Sequence, residues 1–286
     1  MAKTKIVLAK SFFDIIAILQ QQKRAEKMEL KNSTILITGG TSGIGLELVK
    51  QLTEQGANII VTGRNLDALN TTKKQFPEVH TFQSDVSKPK DIEQLYKDIT
   101  EQFPQLNIII NNAGIMREID LQDTTLGLEN INREIVTNLS GTIQMVHQFL
   151  PHLLKQQTSA IVNVSSGIAF MPYSISPIYS ASKAGVRAYT QVLRLQLEDT
   201  NVKVFELVPP AVDTPLEKDW THRHNKNQFM QVDKMVHVAV QGILNDQFEI
   251  KPGLAGIIKI ASRIAPNSIL NIGHKEFKKF KEMKNK

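Results

Sequence analysis

From Leu30 onward, short β-branched apolar runs alternate with longer amphipathic stretches, and few folds are compatible with this alternation. Continuous apolar runs of this length suit strands buried on both faces, and the stretches between them are long enough for crossover helices. The pattern predicts a doubly wound parallel α/β sheet in three α/β/α layers, with ligands at the carboxyl ends of the strands. The predicted strands are Thr34–Ile37, Asn58–Thr62, Val79–Gln83, Leu106–Ile110, Ala160–Val164 and Lys203–Leu207.

The length and composition limit the domain number and the chemistry. With 286 residues and no repeat or linker, the chain is predicted to form a single domain. It has no cysteine, which excludes disulfides, thiolate metal sites and cysteine nucleophiles, and we predict no metal site. We predict the domain over residues 30–253, an N-terminal extension over 1–29, and an apolar, then Lys-rich, extension over 254–286.

The net charge of +6 is concentrated at the two ends of the chain. Residues 1–31 hold seven Lys and Arg against three acidic residues, and residues 275–286 hold six Lys against two Glu. The body between them is therefore slightly acidic, which predicts no nucleic-acid partner. No apolar run reaches the ~20 residues that span a bilayer, and no secretory cleavage site follows the N-terminal apolar stretches. The expectation is a cytoplasmic protein.

The Lys-rich C-terminal segment carries Phe277, Phe280 and Met283 at helical spacing. A basic amphipathic end of this kind can bind anionic lipid, but it is more often a solvated helix end, and that is our interpretation. The N-terminal extension could form an amphipathic helix on a membrane or on the protein, but our interpretation of residues 1–27 is a flexible or loosely packed extension.

A glycine-rich turn, Thr-Gly-Gly-Thr-Ser-Gly-Ile-Gly at residues 38–45, joins the first strand to a helical pattern over Leu46–Gln55. Glycines let the backbone approach a pyrophosphate, and a helix N-terminus supplies free N–H groups. A tight turn without a ligand is the alternative, but the strand–loop–helix context favours a dinucleotide. The predicted contacts are Gly39, Thr41, Ser42, Gly43, Ile44 and Gly45.

Tyr179 and Lys183 lie four residues apart in a helical pattern, so that the phenol and the ammonium can face one site. A phenol ionises near pH ~10. A neighbouring cation favours the phenolate, which brings Tyr179 towards the range where it exchanges protons with an alcohol or a ketone. The pair occurs by chance in many helices, so its weight depends on the motifs around it.

Together with that pair, the glycine spacing Gly-x-x-x-Gly-x-Gly makes the chain resemble the short-chain dehydrogenase/reductase family over residues 31–253. Further motifs follow in the family's order: Asn-Asn-Ala-Gly at 111–114, Asn138 in Thr-Asn-Leu-Ser-Gly, and Ser166 thirteen residues before Tyr179. The resemblance implies a Rossmann-type fold and a nicotinamide dinucleotide. It implies further cofactor contacts at Asp85, Val86, Asn112, Ala113, Gly114, Val212 and Thr214, besides Tyr179 and Lys183.

The same resemblance implies four catalytic roles. Tyr179 would exchange the proton with the substrate oxygen, and Lys183 would lower the phenol pKa and bond the nicotinamide ribose. Ser166 would hold the substrate oxygen, and Asn138 would anchor a water that relays protons through Lys183. Each residue has a plain structural alternative, such as a surface aromatic, a solvated charge, a turn residue or a core amide bonded to backbone. Their joint presence favours the catalytic interpretation.

The end of the second predicted strand bears on the choice of nicotinamide. NAD enzymes place an Asp or Glu there for the ribose 2′-OH, whereas an Arg accommodates a 2′-phosphate. Here Gly63 occupies the acidic position and Arg64 follows, which favours NADP(H), although a solvated surface Arg is the alternative. Thr41 and Ser42 add no basic residue to this preference.

A homodimer is the implied assembly, through the helix near 125–155 and a helix face of small residues. The small residues on the helix face predicted to form the dimer interface are Ala181, Ala184, Gly185 and Ala188.

The chain departs from the family at its end, where the usual last strand is expected to be missing, and this puts the common tetramer in doubt. The apolar segment 251–266 could close the substrate site, pair subunits or touch a membrane. The run at 205–214 is similar to that of the bacterial DltE-like oxidoreductases.

The sequence therefore predicts an NADP(H)-dependent enzyme that interconverts a carbonyl and an alcohol by hydride transfer. A catalytically idle NADP-binding regulator is one alternative, but it would not need all four candidate catalytic residues. A 3-oxoacyl-thioester ketoreductase is another, because the basic tail would suit an acidic carrier. The substrate cannot be inferred, since the polar loop 211–231 has no transferable code.

Overall fold

The computed structural model describes residues 27–217 and 229–284. One sheet of seven parallel strands has the order β3-β2-β1-β4-β5-β6-β7. The strand order reverses between β1 and β4, which is where open α/β sheets bind ligands. The predicted doubly wound parallel sheet is confirmed. Its strands are β1 Thr34–Thr38, β2 Asn58–Gly63, β3 His80–Gln83, β4 Leu106–Asn111, β5 Ser159–Val164, β6 Val202–Leu207 and β7 Glu249–Ile250.

The six predicted strands agree with the structure to within one residue at each end. The expectation that the last strand is missing is wrong, because Glu249 and Ile250 pair in parallel with Glu206 and Leu207 of β6. A strand of two residues has no alternation or apolar run of its own, so it leaves no pattern in the sequence.

Helices cover both faces of the sheet. A π-helical segment, Ile135–Ser140, continues directly into α5. Short 3₁₀ turns follow β5 and β6, at Gly167–Ala169 and Pro215–Glu217. The α-helices are α1 Gly43–Glu54, α2 Leu66–Gln75, α3 Pro89–Gln102, α4 Leu128–Ile131, α5 Gly141–Leu153, α6 Pro177–Gln196, α7 Val232–Leu244, α8 Ala255–Ile264 and α9 Pro266–Lys284.

The core lies in two layers because alternate strand residues face opposite sides of the sheet. In β1, Ile35 and Ile37 join one layer with Leu48 of α1, whereas Leu36 joins the other with Phe149 of α5. This burial on both faces fixes the ends of β1 and β4, and with them the loops that follow.

Met28 and Leu30 are buried in the first of these layers. Packing therefore begins slightly before the predicted domain boundary at residue 30. The predictions for residues 1–26 lie outside the described residues, as does much of the polar loop predicted at 211–231.

The C-terminal segment forms a helix pair that returns to the carboxyl edge of the sheet. Gly273 of α9 lies so close to Pro172 that a Cβ atom there would be 2.4 Å from the proline carbonyl oxygen. His274 contacts the Ser174 hydroxyl at 3.2 Å. The pair is therefore seated on the loop that leads from β5 to α6.

Candidate active site

The loop between β1 and α1 is packed without side chains. Gly39 has φ +66°, and a Cβ on it would lie 2.9 Å from the Ala113 Cα. A Cβ on Gly45 would lie 2.2 Å from the Gly39 carbonyl oxygen. The positive φ and both close approaches require glycine. The loop thus presents backbone to the cleft, as a site for a pyrophosphate needs.

Asn112 ties this loop to the end of β4. Its Nδ2 donates to the carbonyl oxygens of Thr38 and Gly39, at 3.0 and 3.1 Å. The Thr38 hydroxyl in turn accepts from the backbone N–H groups of Asn112 and Ala113. Thr38 was not predicted as a site residue. Its role depends on the neighbouring strand, and the sequence around a threonine at a strand end does not show which strand lies beside it.

The N-terminus of α1 opens into the same cleft. Its N-cap residue, Ser42, makes no side-chain capping hydrogen bond, so the first-turn N–H groups keep their capacity for an external acceptor. A Cβ on Gly43 would lie 3.2 Å from the Thr214 Cβ, which places the loop after β6 over the glycine loop. Thr41, Ile44 and Val212 line the same cleft, which has a volume of about 970 Å³.

At the end of β2, the Arg64 guanidinium is half exposed and its Nη1 lies 4.0 Å from the Asp85 Oδ2. The other carboxylate oxygen of Asp85 accepts from the backbone and hydroxyl of Ser87 at 2.9 and 2.7 Å. Val86 is buried beneath Gly141 of α5. Arg64, Asp85 and Val86 all line the cleft, at the opposite end from Tyr179.

Tyr179 and Lys183 project from α6 into the cleft, and both are buried, with 5% and 4% of their surface exposed. The Lys183 Nζ lies 5.7 Å from the centre of the Tyr179 ring and donates to the Val164 carbonyl oxygen at 2.8 Å. Burial lowers the pKa of Lys183 to about 8. The ammonium still predominates at neutral pH, where it favours the phenolate form of Tyr179.

Ser166 begins the turn after β5 and lines the cleft beside Tyr179. Its hydroxyl accepts from the Ile168 N–H at 3.3 Å. The turn is anchored to the next strand end, because the Gly167 N–H donates to the Pro209 carbonyl oxygen at 2.8 Å.

Asn138 lies in the π-helical segment and is fully buried. Its Oδ1 accepts from the Ile115 N–H at 2.9 Å, and its Nδ2 donates to the Ile115 carbonyl and to the Ser182 hydroxyl, both at 3.0 Å. Its backbone carbonyl accepts from the Thr142 hydroxyl. The side chain therefore joins the strand end after β4 to α6, next to Lys183.

A buried ionic network beneath the site was not predicted. The Ser165 hydroxyl donates to Glu206 at 2.6 Å, and Arg187 of α6 bridges Glu206 and Glu249 at 2.6 and 2.7 Å. Burial alone would raise the pKa of Glu249, but hydrogen bonds from Lys251, from Lys259 and from Arg187 lower it to about 2. The sequence feature that could have indicated this network is Glu206, a charged residue within the apolar run of β6.

The last helix packs on Tyr179. Phe280 of α9 is 3% exposed and clusters with Met116, Ile175 and the tyrosine ring. The Lys281 Nζ lies 2.9 Å from the Asp120 carboxylate, which fixes the helix at this end. The interpretation of the Lys-rich segment as a solvated helix end is therefore wrong for Phe280.

With this geometry the chain can be compared with known proteins. The profile described as short chain dehydrogenase matches residues 33–225. The chain belongs to this family. As a member of the short-chain dehydrogenases it is an NAD(P)-dependent oxidoreductase, and the predicted resemblance is confirmed.

Among curated relatives, the uncharacterized oxidoreductase DltE of Bacillus subtilis is 44% identical over 191 residues, which cover 67% of this chain and 76% of the relative. An uncharacterized oxidoreductase of Staphylococcus epidermidis is 32% identical over 216 residues, 74% of this chain and 93% of the relative. The likeness to the DltE-like oxidoreductases is thus supported by alignment.

Solved structures share the fold. A short-chain dehydrogenase from Sphingobium yanoikuyae in complex with NADPH superposes with a TM-score of 0.72 at 26% identity, covering 84% of this chain and 94% of the other. One from Burkholderia phymatum in complex with NAD gives 0.74 at 20% identity, covering 82% and 95%.

Proposed function

We propose that the protein interconverts a carbonyl and an alcohol, with NADP(H) as the hydride carrier and Tyr179 as the acid and base. The observation that carries this proposal is the buried Lys183 ammonium 5.7 Å from the Tyr179 ring, in a cleft that also contains the glycine loop. A buried cation beside a phenol lowers the cost of forming phenolate, which the reaction needs at neutral pH.

The residues at the sheet edge fit a dinucleotide. Gly39 and Gly45 leave no room for side chains, and α1 offers uncapped N–H groups to a pyrophosphate. When bound, the nicotinamide supplies or accepts the hydride at the substrate carbon. We assign Asn112 to hold the loop open, and the predicted contacts at Asp85, Val86, Ala113, Gly114, Val212 and Thr214 to line the dinucleotide.

Three side chains act in the proton transfer to and from the substrate oxygen. Tyr179 gives its proton to the oxygen as the carbonyl is reduced and takes it back in the reverse direction. Ser166 holds the oxygen by a hydrogen bond and stabilises the charge that develops on it. Lys183 keeps the phenol acidic. Asn138 acts as a positioning residue, since its amide is engaged with Ile115 and Ser182.

The preference for NADP(H) is assigned to Arg64. Its guanidinium is half exposed at the cleft, where it can meet a 2′-phosphate, and Gly63 replaces the acidic residue that would bond a ribose 2′-OH at the end of β2. The NADPH and NAD complexes of the two fold relatives support a nicotinamide cofactor in general, so the choice between them depends on residues 63 and 64.

We propose a homodimer of cytoplasmic location, built through α5 and α6. Ala181, Ala184 and Ala188 form an exposed row of small residues on α6, whereas Gly185 packs inward against Leu139. Light scattering of the purified protein measures this assembly directly.

The first test follows NADPH and NADH oxidation over ketones, aldehydes, quinones and 3-oxoacyl thioesters, with Tyr179→Phe as the control variant. We expect turnover that prefers NADPH and falls at least ~10³-fold in the variant, while NADPH affinity stays within about twofold. Comparable turnover in the variant would rule out Tyr179 as the acid and base. Tight NADPH binding with no reduction of any carbonyl would favour the idle regulator.

A further inference from the structure

Helix α8 exposes a continuous apolar face. Leu254, Ile257, Ile260 and Ile264 are 64%, 63%, 62% and 79% exposed. Their spacing of three or four residues places them in one row along the helix. Single exposed apolar side chains are ordinary, but a row of four within residues 254–264 is the kind of patch that binds a partner.

The segment that carries this face is basic in sequence. Residues 250–275 contain four Lys and Arg and no Asp or Glu. Arg263 is exposed next to Ile264, at the end of the apolar row. Lys259 and Lys251 lie closer to the protein and pair with Glu249. An approaching surface therefore meets the apolar side chains together with the exposed Arg263 guanidinium at one end of their row.

We propose that the apolar face of α8 docks on an anionic lipid bilayer, with the helix lying in the plane of the headgroups. Isoleucine and leucine enter the acyl boundary while Arg263 meets anionic headgroups, which is the arrangement of interfacial amphipathic helices. A second copy of the chain is the less favourable occupant, because the segment 250–275 would then face itself and has no carboxylate to offer to Arg263. Within the described residues no helix is long and apolar enough to cross a membrane.

Docking in this way places the substrate cleft beside the lipid. Ile258 lines the cleft although its neighbour Ile257 faces solvent, so α8 separates the cleft from the bilayer by a single helix. The same helix contacts the Gly167–Ala169 turn that follows Ser166. The surface is distinct from the Phe280 side of α9, which packs on the protein.

The test is co-sedimentation of the full chain with vesicles of phosphatidylcholine alone or mixed with phosphatidylglycerol. We expect binding to the mixed vesicles at least tenfold tighter than to phosphatidylcholine alone, weakening as salt is raised. The double variant Ile257→Gln/Ile260→Gln should lose at least tenfold in affinity, and Arg263→Glu should lose most of the preference for anionic vesicles.

The matched control is Leu121→Gln/Leu128→Gln, which changes two side chains that are 63% and 84% exposed elsewhere. It should bind like the wild type, and it separates the effect of the α8 row from that of removing exposed apolar side chains in general. Equal sedimentation of the α8 variants and the wild type, or no sedimentation of the wild type, would overturn the proposal. A loss of dimer in the α8 variant without any vesicle binding would overturn it in favour of a second copy.

Discussion

The glycine-loop side of the cleft, residues 38–45 and 112–114, is held by hydrogen bonds between polar side chains and backbone and by glycines packed without room for a Cβ, whereas the side that carries Tyr179 is held by apolar side chains. On the first side, Thr38 and Asn112 connect two adjacent strand ends by four hydrogen bonds. On the second, Tyr179 packs against Met116 and Phe280, which come from distant parts of the chain.

In the proposed function, this difference separates the part of the cleft that binds the dinucleotide from the part that selects a substrate. Where backbone is packed without room for Cβ atoms, almost no residue other than glycine is tolerated. The first side therefore suits a ligand that is the same in every relative. A wall of apolar side chains changes shape with each substitution, so the second side suits a ligand that differs between relatives. The two sides should therefore respond differently to mutation.

The largest expected effect is on the glycine loop. Gly45→Ala places a Cβ 2.2 Å from the Gly39 carbonyl oxygen and 2.5 Å from the Asn112 Nδ2, so the loop must move. We expect NADPH affinity to fall at least ~100-fold, about 2.7 kcal/mol, by calorimetry. Gly256→Ala is the control, because its nearest neighbour lies 4.0 Å away. An affinity within threefold of the wild type would contradict the backbone account of this side.

On the other side, Phe280→Ala removes a buried ring from the wall against Tyr179. Emptying such a site typically costs ~3–5 kcal/mol of packing. We expect kcat/KM to fall at least ~10-fold while NADPH affinity stays within about twofold. Phe248→Ala, at a half-exposed ring away from the cleft, should change neither. A parallel loss of cofactor affinity in Phe280→Ala would show that the two sides are not independent.

In the proposed mechanism Lys183 contributes to catalysis, and its burial lowers the stability of the fold. Burial lowers its pKa from the usual 10.5 to about 8, so the unfolded chain binds more protons than the folded one between these values. The penalty is complete below pH 8 and is relieved as the pH rises towards 10.5. Lys183→Met should lose turnover yet gain roughly 2 kcal/mol in the free energy of unfolding at pH 7, after the lost bond to Val164.

Urea unfolding at pH 7 and at pH 10 measures this difference, with the exposed Lys278→Met as the control. The gain should shrink at the higher pH. A variant that is less stable than the wild type at pH 7 would mean that the ammonium is not a net burden on the fold.

The smallest expected effect is on cofactor choice. Arg64→Ala should lower the ratio of kcat/KM for NADPH over NADH by about 10-fold, and adding Gly63→Asp should lower it further. The aspartate fits with a small shift of Thr41, whose Cγ2 lies 3.3 Å from the position of the new Cβ. Arg133→Ala, at another exposed arginine of the cleft, should leave the ratio unchanged. An unchanged ratio in Arg64→Ala would remove the basis for the NADP(H) assignment.

The sequence was sufficient for the parts of the fold that depend on local pattern. Apolar runs located six strands, and the glycine spacing located the loop after β1. The sequence could not reveal that the Asn138 amide bonds Ile115 and Ser182, because such contacts join segments far apart in the chain. For the same reason β7 and the position of Phe280 were missed. Both depend on where a later segment of the chain packs on the sheet or the cleft, and the local spacing of apolar residues does not encode that position.

The seating of α9 has a consequence for how the protein opens. The ion pair of Lys281 with Asp120 joins positions 161 residues apart, and the other described contacts of α9 are with the loop before α6, with Met116 and with Tyr179 rather than with the strands of the sheet. The helix can therefore detach as a local unit, at a lower free energy than global unfolding, and its amide hydrogens should exchange before those of β1 and β4. Phe280 covers the Tyr179 ring only while α9 stays in place, so this part of the ring's covering opens with a free energy of its own, lower than that of unfolding the sheet.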